Sequence, residues 1–228
     1  VVMLLISDRA PRIIHLASAW QNVGEGLTYS WRNASVRSLL LITAAIALLG
    51  RSYVPLAPVF ARNVFQVGPG GLGVITTVPA IGTVAASVAL AFGLRTANRR
   101  LFVLTAIATS VALAGYALSP FFVLALVLLL LVGATGFTAQ TMANTLLQQV
   151  VDERMRGRVM SLMTACTLAA WRLAALPFGF AAQQWSAPVA TTAGCILLFA
   201  VLLPAALTAI RPKSAGRSGR LRKNPEAE

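Results

Sequence analysis

Two arginines, Arg51 and Arg172, stand inside long apolar runs of the chain. An ionised side chain at such a place is costly, and it faces a bundle interior, a water-filled cavity or a partner. Arg172 lies midway along its run beside Trp171, with no acid of this chain at a similar depth. Snorkelling to an interface suits it poorly, and the expectation is a substrate-facing or gating charge. Arg51 lies in the outer half of another run, next to Ser52 and Tyr53. There, snorkelling fits as well as a place in a polar pathway. A third feature is the polar face of the run 121–147. At about 100° per residue, Thr138, Gln140, Thr141, Asn144, Thr145 and Gln148 fall within one arc of roughly 160°, while Leu131, Val132, Ala139, Met142, Ala143, Leu146 and Leu147 occupy the other side. Two glutamines and an asparagine need a wet or helix-lined surface, which points to a cavity wall. For the threonines taken separately, hydrogen bonding between helices serves equally well.

Other chemistries lack their parts. The chain has one histidine, His15, and its six acids (Asp8, Glu25, Asp152, Glu153, Glu226 and Glu228) all lie in loops or tails. No carboxylate pair, His-based triad or metal-ligand cluster can be assembled, so neither an enzyme nor a cofactor is expected, and no acid stands in an apolar run as a proton relay. The string Gly68-Pro69-Gly70-Gly71-Leu72-Gly73 lacks the Lys-Ser/Thr of a phosphate-binding loop and has no strand before it. It reads as a tight turn opening the next apolar run. Cys166 and Cys195 lie singly inside apolar runs and read as small buried apolar residues.

The elements that must position these residues are helices crossing a bilayer. Of 228 residues 57% are hydrophobic and 11% charged, with a mean hydropathy of +0.77, against about 25% charged in an ordinary soluble domain. Six runs approach the ~20 residues that span a membrane, at about 39–60, 72–94, 101–118, 121–147, 159–182 and 189–210. Pro55, Pro58, Pro79, Pro177 and Pro204 fall inside them, which a membrane bundle tolerates where neighbouring helices re-satisfy the freed backbone groups. The series Gly82, Ala85, Ala86, Ala89 and Gly93 lets the second run approach a neighbour closely. Residues 1–6 read as the end of a helix whose beginning is missing. Residues 7–38 form a linker in which Leu16, Trp20, Val23, Leu27 and Trp31 make one apolar stripe along a helix. That helix suits the membrane interface, or equally the protein's own cytoplasmic surface. Residues 211–228 form a basic tail expected to be disordered.

The charge is distributed by topology. The net charge is +13, yet its arginines fall in short loops between apolar runs, which explains them without a nucleic-acid partner. With six spans, 16 of the 19 basic residues lie on one side and Arg62 on the other, Arg51 and Arg172 being within runs. The positive-inside rule puts the richer side, with both termini, in the cytoplasm. The densest cluster there is Val151-Asp152-Glu153-Arg154-Met155-Arg156-Gly157-Arg158, read as a loop between the fourth and fifth runs. Asp152, Glu153, Arg156, Gly157 and Arg158 are the candidates for a cytoplasmic hinge or gate.

These motifs resemble a known family. Asn144-Thr145-Leu146-Leu147-Gln148, followed by Asp152 and then Arg156-Gly157-Arg158-Val159-Met160-Ser161, is similar to the loop between the tenth and eleventh helices of major facilitator superfamily transporters. The closest branch is the enterobactin-exporter-like one, also called transmembrane secretion effectors. Gly26-Leu27-Thr28-Tyr29 with Trp31-Arg32-Asn33 resembles that branch's central loop. Gly50-Arg51, Pro55-Leu56, Pro58-Val59-Phe60-Ala61-Arg62 and Gly70-Gly71-Leu72-Gly73 match as well. The superfamily's loop motif departs at Gly93 to Leu101, where the acid is absent.

The resemblance implies an all-α membrane protein whose six-transmembrane-helix bundle corresponds to the C-terminal half of a twelve-helix fold in a bacterial cell membrane. It implies a partner N-terminal six-helix half, and a pathway facing the first, second, fourth and fifth spans. The expected function is a secondary active exporter of drug-like or siderophore-like small molecules. Arg51, Thr138, Gln140, Thr141, Asn144, Trp171 and Arg172 are the expected pathway residues. The alternative is a non-transporting half-bundle, either a membrane scaffold or an inactive truncated product.

Overall fold

The computed structural model describes residues 16–93 and 98–210, which are helical almost throughout and contain no strand. Helix α1, Leu16–Arg32, ends at Asn33, whose side-chain oxygen accepts hydrogen bonds from the backbone N–H groups of Ser35 and Val36 and so opens α2, Ala34–Leu49. The chain turns through 50–52, restarts as α3, Tyr53–Val59, and passes into a π-helical turn at Phe60–Val64. Helices α4, Gly68–Gly93, α5, Arg99–Leu118, and α6, Phe122–Val150, follow, with α5 capped by Asn98. Helices α7, Glu153–Leu173, and α8, Ala175–Gln184, meet end to end at Ala174, and α9, Ala187–Ile210, closes the bundle.

Six stretches are long and apolar enough to cross a membrane: Ala34–Val64, Gly68–Phe92, Arg99–Leu118, Phe122–Val150, Glu153–Gln184 and Ala187–Pro204. They match the six apolar runs, and most start earlier. Hydropathy marks where a helix is greasy, whereas a helix continues into polar flanks until a cap stops it. The largest such difference is at 151–158, expected as a loop. The connection is Val151 and Asp152, and Glu153 to Arg158 form the first turns of α7. Asp152 sits at the helix start with Glu153 in the first turn, where negative charge is favoured by the helix dipole. The glycine string differs in the same way. The turn lies one step earlier, at Gln66 and Gly68 with φ of 55° and 64°, and Gly68 to Gly73 are already helical.

The prolines act unequally. Pro79 and Pro204 sit inside unbroken α4 and α9. Pro55 and Pro58 coincide with the restart of the first span and its π-turn, where the N–H of Phe65 reaches the carbonyl of Phe60. Pro177 has no N–H to give the carbonyl of Leu173, four residues back, and the fifth span breaks at that point.

Helix α4 runs along α6, α6 along α5, and α5 along α9, while α2 is flanked by α7, α9 and α6. The α4–α6 seam is the tightest. A Cβ at Gly82 would collide with the backbone of Leu130 and Ala134, and one at Gly133 with the backbone of Pro79. The small-residue series on the second span therefore makes the close approach its composition predicts, chiefly through Gly82. The core has two parts along the bundle axis. One, toward the 151–153 end, joins Val36 to Ile46, Phe102 to Ala106, Ala139 to Leu147, Val159, Met163, Leu198 and Leu202. The other gathers Tyr53 to Ala61, Ile75, Ala112 to Ala117, Ala125 to Val132, Ala174, Phe178 and Cys195. Exposed apolar side chains such as Ile81, Val88, Phe92, Val111 and Ile196 cover the outside, as in a helix surface facing lipid. Cys195 is a buried core residue as expected; Cys166 is exposed, because α7 buries only Val159 and Met163.

Helix α1 packs on α7 through Glu25, Gly26 and Tyr29 and leaves Leu27 and Trp31 exposed. It thus docks on the protein's own surface, with the described part of its apolar stripe, Leu27 and Trp31, exposed. Leu16, Trp20 and Val23 of that stripe, the segment 1–6 and the tail 211–228 lie outside the described side chains.

Candidate functional site

Between the two cores lies a polar level. Ser110 donates to the carbonyl of Cys195 at 3.1 Å, and Thr109 donates to the hydroxyl of Thr135 at 2.9 Å across α5 and α6. Thr83 of α4 donates to the carbonyl of Pro79 at 3.0 Å and reaches that of Gly133 on α6 at 3.4 Å. Ser52, fully buried at the break of the first span, has a hydroxyl with no hydrogen-bond partner. Both helix breaks, at 50–52 and at Ala174, fall at this level, which brings Arg51, Trp171 and Arg172 to one height in the bundle. The Arg51 guanidinium lies 5.4 Å from the centre of the Trp171 ring and that of Arg172 lies 5.9 Å from it.

A cavity of about 620 Å³ opens beside this group, within the few-hundred-Å³ range of small-molecule sites. Its wall comes from the first span (Ile46, Ala47, Gly50, Arg51, Tyr53, Val54), the second (Thr76, Pro79, Ala80, Thr83, Val84), the fourth (Val132, Gly133, Gly136, Phe137, Gln140) and the fifth (Thr167, Leu168, Trp171), with Thr109 at the back. Small residues at 80, 133 and 136 and the missing helical turn at 50–52 make the space. Of the expected pathway residues, Arg51, Gln140 and Trp171 line this cavity. Arg172 is exposed and stands next to Trp171, outside the wall. Thr141 and Asn144 lie half-buried on the polar arc further toward the 151–153 end, and Thr138 donates to its own helix at the carbonyl of Ala134. The cross-helix threonine bond falls at Thr135, off the arc. Thr76, Thr83 and Thr109 are wall residues that periodicity did not single out. For Thr83, Pro79 and Gly133 are the signal in the sequence, since a seam that close brings its hydroxyl onto the neighbouring backbone.

Electrostatically the wall is positive. Among the described residues the spans hold no carboxylate beyond Glu153 at the very start of the fifth. The two guanidinium carbons are at most about 11 Å apart, given their distances to one ring, and two charges no further apart than that repel by at least roughly 1.5 kcal/mol at an effective dielectric constant of about 20. A cation–π contact is worth about 0.5–2 kcal/mol. The tryptophan therefore offsets part of the repulsion without neutralising either charge.

At the other end, where α6 passes into α7, the expected gate residues divide. The Tyr29 hydroxyl donates to the Asp152 carboxylate at 2.9 Å and accepts from the Asp152 backbone N–H at 3.3 Å. Arg158 pairs with Glu25 and lies 3.8 Å from the sulfur of Met155. Glu153, Arg156 and Gly157 are exposed, with open space around Gly157.

No curated protein and no solved structure matches this chain. A family model described as transmembrane secretion effector matches residues 8–226. With six membrane-spanning helices around a mid-level cavity, and that match over almost its whole length, the chain belongs to the transmembrane secretion effectors, a branch of the major facilitator superfamily of membrane transporters.

Proposed function

We propose that this chain is the C-terminal six-helix half of a secondary active transporter that exports drug-like or siderophore-like small molecules by alternating access. The observation that carries the reading is the cavity walled by the first, second, fourth and fifth spans, with Arg51, Gln140 and Trp171 on its surface. A second six-helix half, on the same or a separate chain, faces that wall, and the substrate moves between the two. Thr138, Thr141, Asn144 and Arg172 border the same path above and below the cavity. The end carrying Asp152 to Arg158 lies in the cytoplasm with both termini, in keeping with the one-sided basic residues. There the Tyr29–Asp152 and Glu25–Arg158 contacts tie the linker helix to the start of the fifth span and serve as a gate.

Substrate accumulation in inverted membrane vesicles, where export runs into the lumen, tests this with the N-terminal half co-expressed. Gln140→Ala and Arg172→Ala are expected to lower substrate efflux by roughly tenfold each, the effect of losing about 1.4 kcal/mol of contact. Unchanged efflux in both variants would remove the pathway assignment, and no gradient-dependent efflux with any partner half would favour a scaffold. Arg156→Glu is expected to impair insertion or gating; normal topology together with normal transport would sink the gate.

A further inference from the structure

We infer that the Arg51–Trp171–Arg172 group is an anion site, and that the ligand of the cavity is an amphiphilic organic anion: an acid head group with an apolar body. This rests on the cavity being the ligand path of the proposed transporter. Two guanidinium groups lie within 5.4 and 5.9 Å of the centre of one indole ring, beside the breaks of the first and fifth spans. Among the described residues neither arginine has a carboxylate near it; Glu25, Asp152 and Glu153 lie at the far end, on α1 and at the start of α7. Arg51 and Arg172 come just past the middle of spans of 31 and 32 residues, where an ionised side chain is costly unless it has a partner. Two unneutralised charges held together at that depth are stabilised by a ligand of opposite sign. The planar fork of a guanidinium matches the two oxygens of a carboxylate, sulfonate or phosphate. The cavity supplies the other half of the ligand's chemistry, since Ile46, Val54, Pro79, Val84, Val132 and Leu168 make its wall mainly apolar. Gln140 and Thr83 offer donors beside it.

The test uses the full chain in phosphatidylcholine nanodiscs and two probes with one ring system, 2-naphthoate and 2-naphthylmethylammonium, titrated by calorimetry. Naphthoate is expected to bind and the ammonium ion not. Arg51→Gln and Arg172→Gln are each expected to weaken naphthoate binding by roughly tenfold, as losing one charge-assisted hydrogen bond does. Arg172→Lys, which keeps the charge and loses the fork, is expected to weaken it by less. Circular dichroism and the thermal transition establish that each variant is folded. Equal binding of the two probes, or undiminished naphthoate binding in a folded Arg51→Gln/Arg172→Gln double variant, would overturn the inference. Discs containing phosphatidylglycerol are expected to leave naphthoate affinity unchanged. Displacement there would make a lipid head group the anion and overturn a soluble ligand. Vesicle efflux separates this from the transporter reading: naphthoate binding without efflux overturns transport and leaves the site standing, whereas efflux of cationic dyes with no naphthoate binding does the reverse.

Discussion

The α4–α6 seam and the α7–α8 flank are built on opposite terms. In the seam, glycines on both helices bring two unbroken backbones together, so that Gly82 and Gly133 have carbonyls where a Cβ would be. The flank has the length of a span but buries little of it: α7 contributes Val159 and Met163 to the core, against nine buried residues from α5. It breaks at Ala174 and carries Trp171 and Arg172 on an exposed surface. A rigid wall therefore faces a loosely held one across the cavity. Rigidity at the seam fixes where Thr83 and Gln140 stand. The sparsely buried flank is the less locally stable of the two, because local stability follows buried apolar contact.

That contrast can be broken by substitution. Gly133→Ala drives a methyl into the backbone of Pro79, which has no rotamer to yield, and is expected to cost more than about 3 kcal/mol; unfolding in detergent micelles would read it. Gly157→Ala, a glycine in α7 with open space around it, is expected to leave stability unchanged or raise it by about 0.5–1 kcal/mol. Equal losses at the two positions would erase the distinction between the walls. Pro177→Ala restores an N–H for the carbonyl of Leu173 and straightens the fifth span, so efflux is expected to fall severalfold while the protein stays as stable as before. Full efflux would show the break to be incidental. Tyr29→Phe removes the bond to Asp152 and is expected to cost about 1 kcal/mol, read as faster proteolysis of the linker helix. Glu25→Gln is the mildest. Its pair with Arg158 is partly exposed, with side chains 36% and 58% accessible, so the loss is expected to stay below about 1 kcal/mol and to vanish at high salt.

Much of the fold was legible because a bilayer imposes a length and a polarity that composition cannot hide. The six spans, the polar arc of the fourth and the small residues of the second all follow from hydropathy and a 3.6-residue period. The start of α7 was not legible as helix, since a dense charge cluster between apolar runs looks like a loop until Asp152 is seen at its N-terminus. Five prolines inside the runs look alike on paper; three coincide with breaks and two do not. The difference is in what the neighbouring helices can supply to a freed carbonyl, which no local pattern records.

The residues settle what kind of molecule this is: apolar runs of bilayer length must be helices, and the arginines concentrate in alternate connections between them. They also mark Arg51 and Arg172 as costly, each for itself. That the two arginines share Trp171 is a fact of three dimensions. Arg51 and Trp171 are 120 positions apart along the chain, and they meet because the first and fifth spans break at the same height on either side of a cavity. Helix periodicity sets which face a side chain takes, but packing sets which faces meet, and the site exists only where they do.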